Sequence, residues 1–304
     1  MASHKQSKSQ IELSIIVLSY NTAQLTKLTI ESILQSITSH VSYEILVLDN
    51  GSKDDSVTIL KNLAKKYTNL ALIESKENLG FAKGNNNAVK QAKGKHVLFL
   101  NSDIIVVGDA IERLLAYYQE DDTIHFAGGK LLNNNKTSQA STGPFYSLPV
   151  VFGALFLKGD YWGLTRYSPN KSIKTDWVSG ACLLTTKELF EELGGFDEDL
   201  FMYMEEIDLL YRAKSQGYNT YFCAPAKFIH LGSASSQGKA YPILQVYKGL
   251  LYFYHKHHSA LAVSLLKGML QLKADVSIWI GKLTQNRYLI DTYGKAKNIV
   301  TMAR

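Results

Sequence analysis

Residues 13–50 read LSIIVLSYNTAQLTKLTIESILQSITSHVSYEILVLDN. Two short, uninterrupted apolar runs, LSIIVLSY and YEILVLDN, flank a helix-length amphipathic segment from Thr22 to Ser36. Strands that are apolar throughout, with no polar alternation, are those buried on both faces, as in a parallel sheet covered by helices. The alternation continues downstream. NLALIES (69–75) and HVLFLNSD (96–103) read as further strands, separated by helices over Asp54 to Lys66 and Ala82 to Lys93. Strands alternating with helices predict an α/β domain with a doubly wound, mostly parallel central sheet flanked by helices. Such sheets bind ligands beyond the carboxyl ends of their strands. The residues closing the apolar runs are therefore the first candidates: Ser19-Tyr20-Asn21, Asp49-Asn50-Gly51 and Asn101-Ser102-Asp103.

Beyond these strands the pattern predicts a helix from Ala110 to Gln119 and a strand near His125 to Lys130. Residues 133–172, rich in Asn, Ser, Gly, Pro and aromatics without a period, read as loops or short hairpins. VSGACLL (178–184) reads as a strand, Thr186 as the cap of a short helix ending at Gly194-Gly195, and Glu205 to Gln216 as another helix. Pro225 and the strand-like KFIHL follow, and from Ala240 the pattern is helical. We divide the chain into a tail expected to be disordered (1–10), an α/β domain (11–238, halves 11–130 and 131–238) and a helical C-terminal extension (239–304).

The totals exclude several classes. A chain of 304 residues with 46% hydrophobic residues is globular, and its 33 basic and 27 acidic residues give a net charge of only +6, which calls for no nucleic-acid partner. The two cysteines, Cys182 and Cys223, lie far apart in no ligand-like spacing, which fits a reducing cytoplasm. No secretory signal is expected in MASHKQSKSQ, and Lys248, Lys256, Lys267 and Lys273 interrupt the C-terminal apolar stretches before they reach spanning length. LLYFYHKHH, LAVSLLKGML and VSIWIGKL interleave Leu, Trp and Tyr with Lys. That pattern suits contact with a membrane surface, a homodimer interface, or packing on the α/β domain equally.

Four clusters carry chemistry. Ser19, Tyr20 and Asn21 offer hydroxyls, an amide and a ring to a nucleoside, and Asp49 can accept an N–H from a pyrimidine, although Asp-Asn-Gly-Ser is also an ordinary turn and helix cap. The loop Asn78-Leu79-Gly80-Phe81-Ala82-Lys83-Gly84-Asn85-Asn86 opens a helix with glycines, where backbone N–H groups can face phosphate. It is neither a Walker loop nor a dinucleotide fingerprint. Asn101, Ser102 and Asp103 end a central strand where Mg²⁺ or Mn²⁺ can bridge protein and diphosphate, with His230 as a further ligand for Mn²⁺. Met202 to Asp208 places Glu205, Glu206 and Asp208 at a helix start. One carboxylate there can deprotonate an acceptor hydroxyl, although acidic residues also favour helix N-termini for their own sake, and Asp208 with Arg212 makes an ordinary i, i+4 pair. On an ideal helix Glu205 and Asp208 share a face and Glu206 points about 100° away.

In order and spacing, IIVLSYN, ILVLDNGSKDDS, ENLGFAKGNN, FLNSD and DWVSGACLLTTKELFEELGGFDEDLFMYMEEIDLLYRAKSQGY resemble glycosyltransferase family 2, over roughly residues 13–235, and its rhamnosyltransferase-like branch above all. The resemblance implies the GT-A fold and an inverting transfer of a sugar, rhamnose for instance, from a dTDP- or UDP-sugar. The acceptor it implies is a hydroxyl of a glycan or lipid-linked molecule in bacterial surface-polysaccharide synthesis, at the inner face of the cell membrane. Tyr20 and Asp49, with Asn86, match the family's nucleoside contacts. Asp103 matches the last residue of its DxD metal motif, whose first position here is Asn101. Trp177 and Gly180, with Asp208 nearby, match the donor-sugar and acceptor pocket, and His230 matches a late histidine near metal or diphosphate. Glu206 stands where the family usually has the aspartate base, its extra methylene extending the carboxylate by about 1.5 Å, and Glu205 is the alternative base. The departures at Asn101 and Glu206 also admit a family member that binds nucleotide sugar or glycan as a scaffold without transfer.

Overall fold

A computed structural model describes residues 11–38, 41–232 and 240–303 of the chain. The expected tail at 1–10 and the boundary between 238 and 239 lie outside these residues.

The first half follows the alternation read from the sequence: β1 (Leu13–Ser19), α1 (Ala23–Ser36), β2 (Tyr43–Asp49), α2 (Ser56–Lys66), β3 (Leu70–Glu74), α3 (Gly80–Val89) and β4 (His96–Asn101). β1 pairs in parallel with β2 on one side, Ser19 level with Asp49, and with β4 on the other. Successive residues of these strands enter opposite cores, as strand geometry requires. Ile16, Leu46, Leu48, Val97 and Phe99 pack on one face, and Leu13, Ile15, Val17, Ile45, Val47 and Leu98 on the other. That two-sided burial is why the sequence shows continuous apolar runs.

The second half is mixed. In chain order it comprises β5 (Ile104–Val106), α4 (Ala110–Gln119), β6 (Phe126–Leu132), β7 (Thr142–Gly143), α5 (Leu148–Phe156), β8 (Ile173–Thr175), β9 (Trp177–Val178), β10 (Cys182–Thr186), α6 (Lys187–Glu192), α7 (Glu205–Ser215) and β11 (Thr220–His230). The main sheet runs β3-β2-β1-β4-β10-β6-β11-β5, with β8 beside β11. β10 is antiparallel to both of its neighbours, while β6 and β11 are parallel. Pro225, which has no N–H to give a ladder, falls where the β6–β11 register shifts between Cys223 and Lys227. Thr186 caps α6 as expected, accepting from the Leu189 N–H.

Two readings change. VSGACLL is not one strand: Ser179-Gly180-Ala181 break it between β9 and β10. The stretch 133–172 contains a helix, α5, whose LPVVFGALF sequence is apolar all round and so shows no amphipathic period.

The C-terminal residues form α8 (Ala240–His257), α9 (Ala260–Leu283) and α10 (Arg287–Met302). Tyr247, Leu250, Phe253, Leu266, Leu270 and Val300 join the same buried cluster as Phe99, Phe196 and Ile207. One side of this helical unit is therefore packed on the α/β unit.

Candidate functional site

A cleft of about 560 Å³ opens at the carboxyl ends of β1 and β4, where the strand order reverses. Tyr20, Gly80, Asn101, Ser102, Asp103, Trp177, Gly180, Glu205, Glu206 and His230 all line it. Residues read from four separate sequence clusters therefore meet in one cavity.

Other candidates do not face it. Ser19 is fully buried and its hydroxyl bonds Thr26 Oγ1 at 3.0 Å. Asn21 holds a left-handed turn (φ +52°) in which its Oδ1 accepts from Lys53 N at 2.7 Å. Asp49, only 1% exposed, accepts from Ser52 N at 3.0 Å through Oδ2, as the turn reading requires, while its Oδ1 has no partner. A buried carboxylate oxygen left open is costly unless a ligand donor meets it. Asn86 is turned into the protein: Nδ2 donates to Phe196 O at 2.8 Å and Oδ1 accepts from Phe196 N at 3.0 Å. Its role is to tie α3 to the segment that leads to α7.

Three consecutive N–H groups of the glycine-rich loop are already taken within the protein. Leu79 N and Gly80 N donate to the side-chain oxygens of Asn50 and Asn78, and Phe81 N donates to Phe201 O. Gly80 is required for another reason. It sits at φ +78°, and a Cβ there would lie 2.6 Å from Phe201 O. Asn50, which sequence reasoning read only as part of a turn, anchors this loop by donating to Asn78 Oδ1 at 2.9 Å.

Asn101, Asp103 and His230 form the clearest group. β5 leaves the Asn101–Asp103 corner and pairs antiparallel with β11, Ile104 level with His230. Residues 127 positions apart thereby touch: His230 Nε2 lies 3.3 Å from Asp103 Oδ1 and 3.3 Å from Asn101 Nδ2. On the far side of the ring, Nδ1 lies 2.8 Å from Gln139 Oε1. An amide oxygen only accepts, so Nδ1 carries a proton, and Nε2 is the ring nitrogen that faces Asp103. A carboxylate and an imidazole so arranged are a donor set for Mn²⁺, with phosphates and water completing the shell. No group of three or more His, Cys, Asp or Glu side chains suited to a metal occurs among the described residues. Gln139 lies in the stretch without a readable motif, and nothing in the sequence pointed to it.

The carboxylates of α7 divide differently from the ideal-helix expectation. Tyr203 (φ +68°) and Met204 (φ +78°) are both left-handed, a costly arrangement for side-chain-bearing residues. Gly249 of α8 makes room for it, since a Cβ there would come within 2.7 Å of Met204 Cγ and 3.1 Å of Tyr203 O. This turn aims the N-terminus of α7 at the cleft, so Glu205 and Glu206 both enter it at the helix end. Asp208, one turn on, does not. It is fully buried against Arg212 Nε (2.8 Å), His257 Nε2 (2.7 Å) and Lys256 Nζ (2.9 Å), and locks α7 to α8.

Burial pushes the Glu205 carboxyl well above the ordinary glutamate range, and the neighbouring Glu206 adds to the shift. Burial also raises Glu206, eased by backbone N–H groups, Gly180 and Ile207 among them, and by the Arg166 guanidinium. Glu205 Oε2 is buried without a partner. Gly180 keeps the space before Glu206 open: a Cβ there would sit 3.5 Å from Glu206 Cβ and from Phe81 Cζ. Trp177 forms a buried wall, its Nε1 donating to Pro144 O at 2.9 Å, with Tyr146 stacked on it at 6.2 Å. Arg166 and Tyr146 also line the cleft and were not singled out from the sequence.

The family model "Glycosyl transferase family 2" matches residues 14–194. The rhamnosyltransferase WbbL of Escherichia coli is 30% identical over 71% of this chain and 82% of its own length. An N-acetylglucosaminyl-diphospho-decaprenol L-rhamnosyltransferase of Mycobacterium tuberculosis is 25% identical over 64% and 68%. Two longer relatives are matched over only 18% and 25% of their lengths. Among solved structures, the mannosyltransferase PcManGT of Pyrobaculum calidifontis, in complex with GDP-Man and Mn²⁺, superposes with a TM-score of 0.59 at 15% identity, over 97% of this chain and 87% of that one. The fold is thus the GT-A arrangement that the strand pattern and the resemblance led us to expect.

Proposed function

The chain belongs to glycosyltransferase family 2, and on that premise we propose that it transfers a sugar, with inversion, from a nucleoside diphosphate sugar to a hydroxyl of a glycan or lipid-linked acceptor. One observation carries the reading: the Asp103–His230 pair and the carboxylate of Glu206 face the same cleft. Asp103 and His230 would hold a divalent cation, Mn²⁺ or Mg²⁺, which would supply charge neutralisation to the donor diphosphate. Tyr20, on the cleft wall, serves the nucleoside. Glu206, its basicity increased by burial, takes the proton of the attacking hydroxyl, and Glu205 is held neutral beside it because two adjacent buried carboxylates resist joint ionisation. Gly180 and Trp177 bound the space between. The rhamnosyltransferase relatives make dTDP-rhamnose the first donor to try.

Thermal unfolding of the full chain with dTDP, UDP, GDP and their sugar conjugates, each with and without Mn²⁺, tests this directly. Binding confined to the folded state raises the melting temperature. We expect a Mn²⁺-dependent rise with dTDP or UDP compounds. No rise with any nucleotide would remove the transferase reading and leave a scaffold.

We further propose that the enzyme works in the cytoplasm, resting on an anionic membrane surface through α9. Leu261, Leu265, Leu272, Val276, Trp279 and Leu283 form one exposed stripe along that helix. Residues 240–304 hold nine basic and two acidic residues of the chain's 33 and 27, so this unit carries the whole of the net positive charge. Such a face attracts an anionic bilayer and repels a second copy of itself. No helix among the described residues is long and apolar enough to cross a membrane. Cosedimentation with anionic vesicles, lost in a Leu272→Ser/Trp279→Ser variant, is the expected result. A dimer in solution that the same substitutions dissolve would assign the stripe to a second copy instead.

A further inference from the structure

Arg166 is a cation in the cleft that the transfer chemistry leaves unused. Its guanidinium stands 5.7 Å from the centre of the Trp177 ring. Among the described residues its one hydrogen bond is a long one, Nη2 donating to Ala140 O at 3.4 Å, and Nε is buried with no partner there. Among the described residues Arg166 makes no ion pair: Asp160, the carboxylate nearest in sequence, accepts instead from Thr165 Oγ1 at 2.5 Å. A half-buried guanidinium with a buried, unpartnered Nε and no ion pair is costly, and the cost is recovered when an anion arrives. The planar fork of arginine suits the oxygens of a phosphate, which it can grip through two parallel hydrogen bonds.

The surroundings separate two candidate anions. The donor diphosphate belongs at Asp103 and His230. Arg166 instead acts on Glu206, whose carboxyl it helps to keep ionised, and both residues act on the buried Tyr146 phenol. Trp177 under its guanidinium and Gly180 against Glu206 belong to one short stretch of the cleft wall, so Arg166 lies on the side of the base, where the acceptor must lie. The same cleft has an apolar wall to which Val151, Ala154 and Leu155 of α5 and Val246 and Leu250 of α8 contribute. Such a wall is of no use to a nucleotide and complementary to a hydrocarbon chain.

We propose that Arg166 is the anion-binding residue of an acceptor subsite, where it holds the phosphate or diphosphate joining the acceptor sugar to an apolar chain. This rests on the transferase reading above. It identifies the acceptor as an anionic lipid-linked sugar and makes Arg166 the residue that distinguishes it from a neutral glycan.

Calorimetric titration of the full chain with geranyl diphosphate and, separately, geraniol tests the subsite. Each titration is run with the donor site saturated by Mn²⁺ and dTDP or UDP, and again without nucleotide. We expect wild type to bind geranyl diphosphate more tightly than geraniol. Arg166→Gln should weaken the diphosphate by roughly tenfold or more, the loss typical of a charge-assisted pair, and leave geraniol and nucleotide unchanged. Arg166→Lys, which keeps the charge but not the fork, should fall between and serves as the check if the glutamine variant folds poorly. Equal binding of geranyl diphosphate by wild type and Arg166→Gln, or no binding by wild type under either condition, overturns the proposal. So does a loss confined to the nucleotide, which would assign Arg166 to the donor. If no nucleotide binds while geranyl diphosphate still depends on Arg166, the transferase reading fails and the anion subsite stands.

Discussion

Asp208→Asn separates a structural carboxylate from a catalytic one. Asp208 is 0% exposed and meets Arg212, His257 and Lys256 at 2.7–2.9 Å. Burial alone would raise its carboxyl, but hydrogen bonds from His257, Lys256 and Arg212 outweigh it and hold the group below the usual aspartate range. Asparagine has nearly the same volume, so no cavity forms and the loss is electrostatic. Removing one member of a buried charge cluster costs about 3–5 kcal/mol. Here the cations are 20% and 30% exposed and keep other partners, Arg212 the carbonyls of Leu193 and Gly195, and Lys256 the carboxylate of Asp197. Solvent screening and these partners reduce the cost to about 2–3 kcal/mol. In a chain of this size that is about 4–6 °C of melting temperature. Because the folded value is depressed, the contribution is present above the unfolded value of about pH 4 and fades as pH falls through the folded one. Thermal unfolding should therefore show a gap between wild type and variant at neutral pH that closes only in strong acid, with nucleotide binding intact. Equal melting temperatures at neutral pH would refute the cluster's role, and loss of nucleotide binding at an unchanged melting temperature would return Asp208 to the cleft.

Glu206→Gln should retain nucleotide binding and lose about 10²–10⁴ in transfer rate, whereas Glu205→Gln should lose less; full activity in Glu206→Gln rules it out as the base. In wild type the acid limb of kcat/KM should lie above the ordinary glutamate range, with activity rising as pH rises through it, because the raised Glu206 carboxyl must be ionised to act; Arg166→Gln should move that limb upward. Gln139→Leu frees the Nδ1 side of His230 and should weaken Mn²⁺ in the nucleotide complex by about 10–100-fold, read by metal titration, with unchanged affinity placing His230 outside the metal shell. Gly180→Ala adds a Cβ at ordinary contact distance and should fold and bind nucleotide normally, while Gly180→Leu must displace Glu206 or Phe81 and should abolish transfer without lowering the melting temperature by more than a few degrees.

The sequence by itself determined the architecture of the first half and the places where chemistry could reside. Burial on both faces leaves a local mark, an apolar run with a polar stop, so β1, β2, β3 and β4 and the clusters at Tyr20, Asp49 and Asp103 could be read from neighbours a few residues apart. The capping threonine at 186 and the acidic start of α7 are equally local. Only the tertiary structure decided which of these groups meet. His230 reaches Asp103 through the β5–β11 pairing and Gln139 through the fold-back of residue 139 onto β6 beside β11, contacts across 91 and more positions that no local period encodes. The left-handed pair Tyr203-Met204, accommodated by Gly249 of a distant helix, aims Glu205 and Glu206 together into the cleft and leaves Asp208 to the α7–α8 joint. Asn86 and Arg166 exchange places for the same reason. An asparagine in a promising motif is consumed by the backbone of residue 196, and an arginine in an unreadable loop keeps a buried Nε without a partner in the cleft. Hydrogen-bonding capacity belongs to the residue type, but whether it is already satisfied depends on the whole fold.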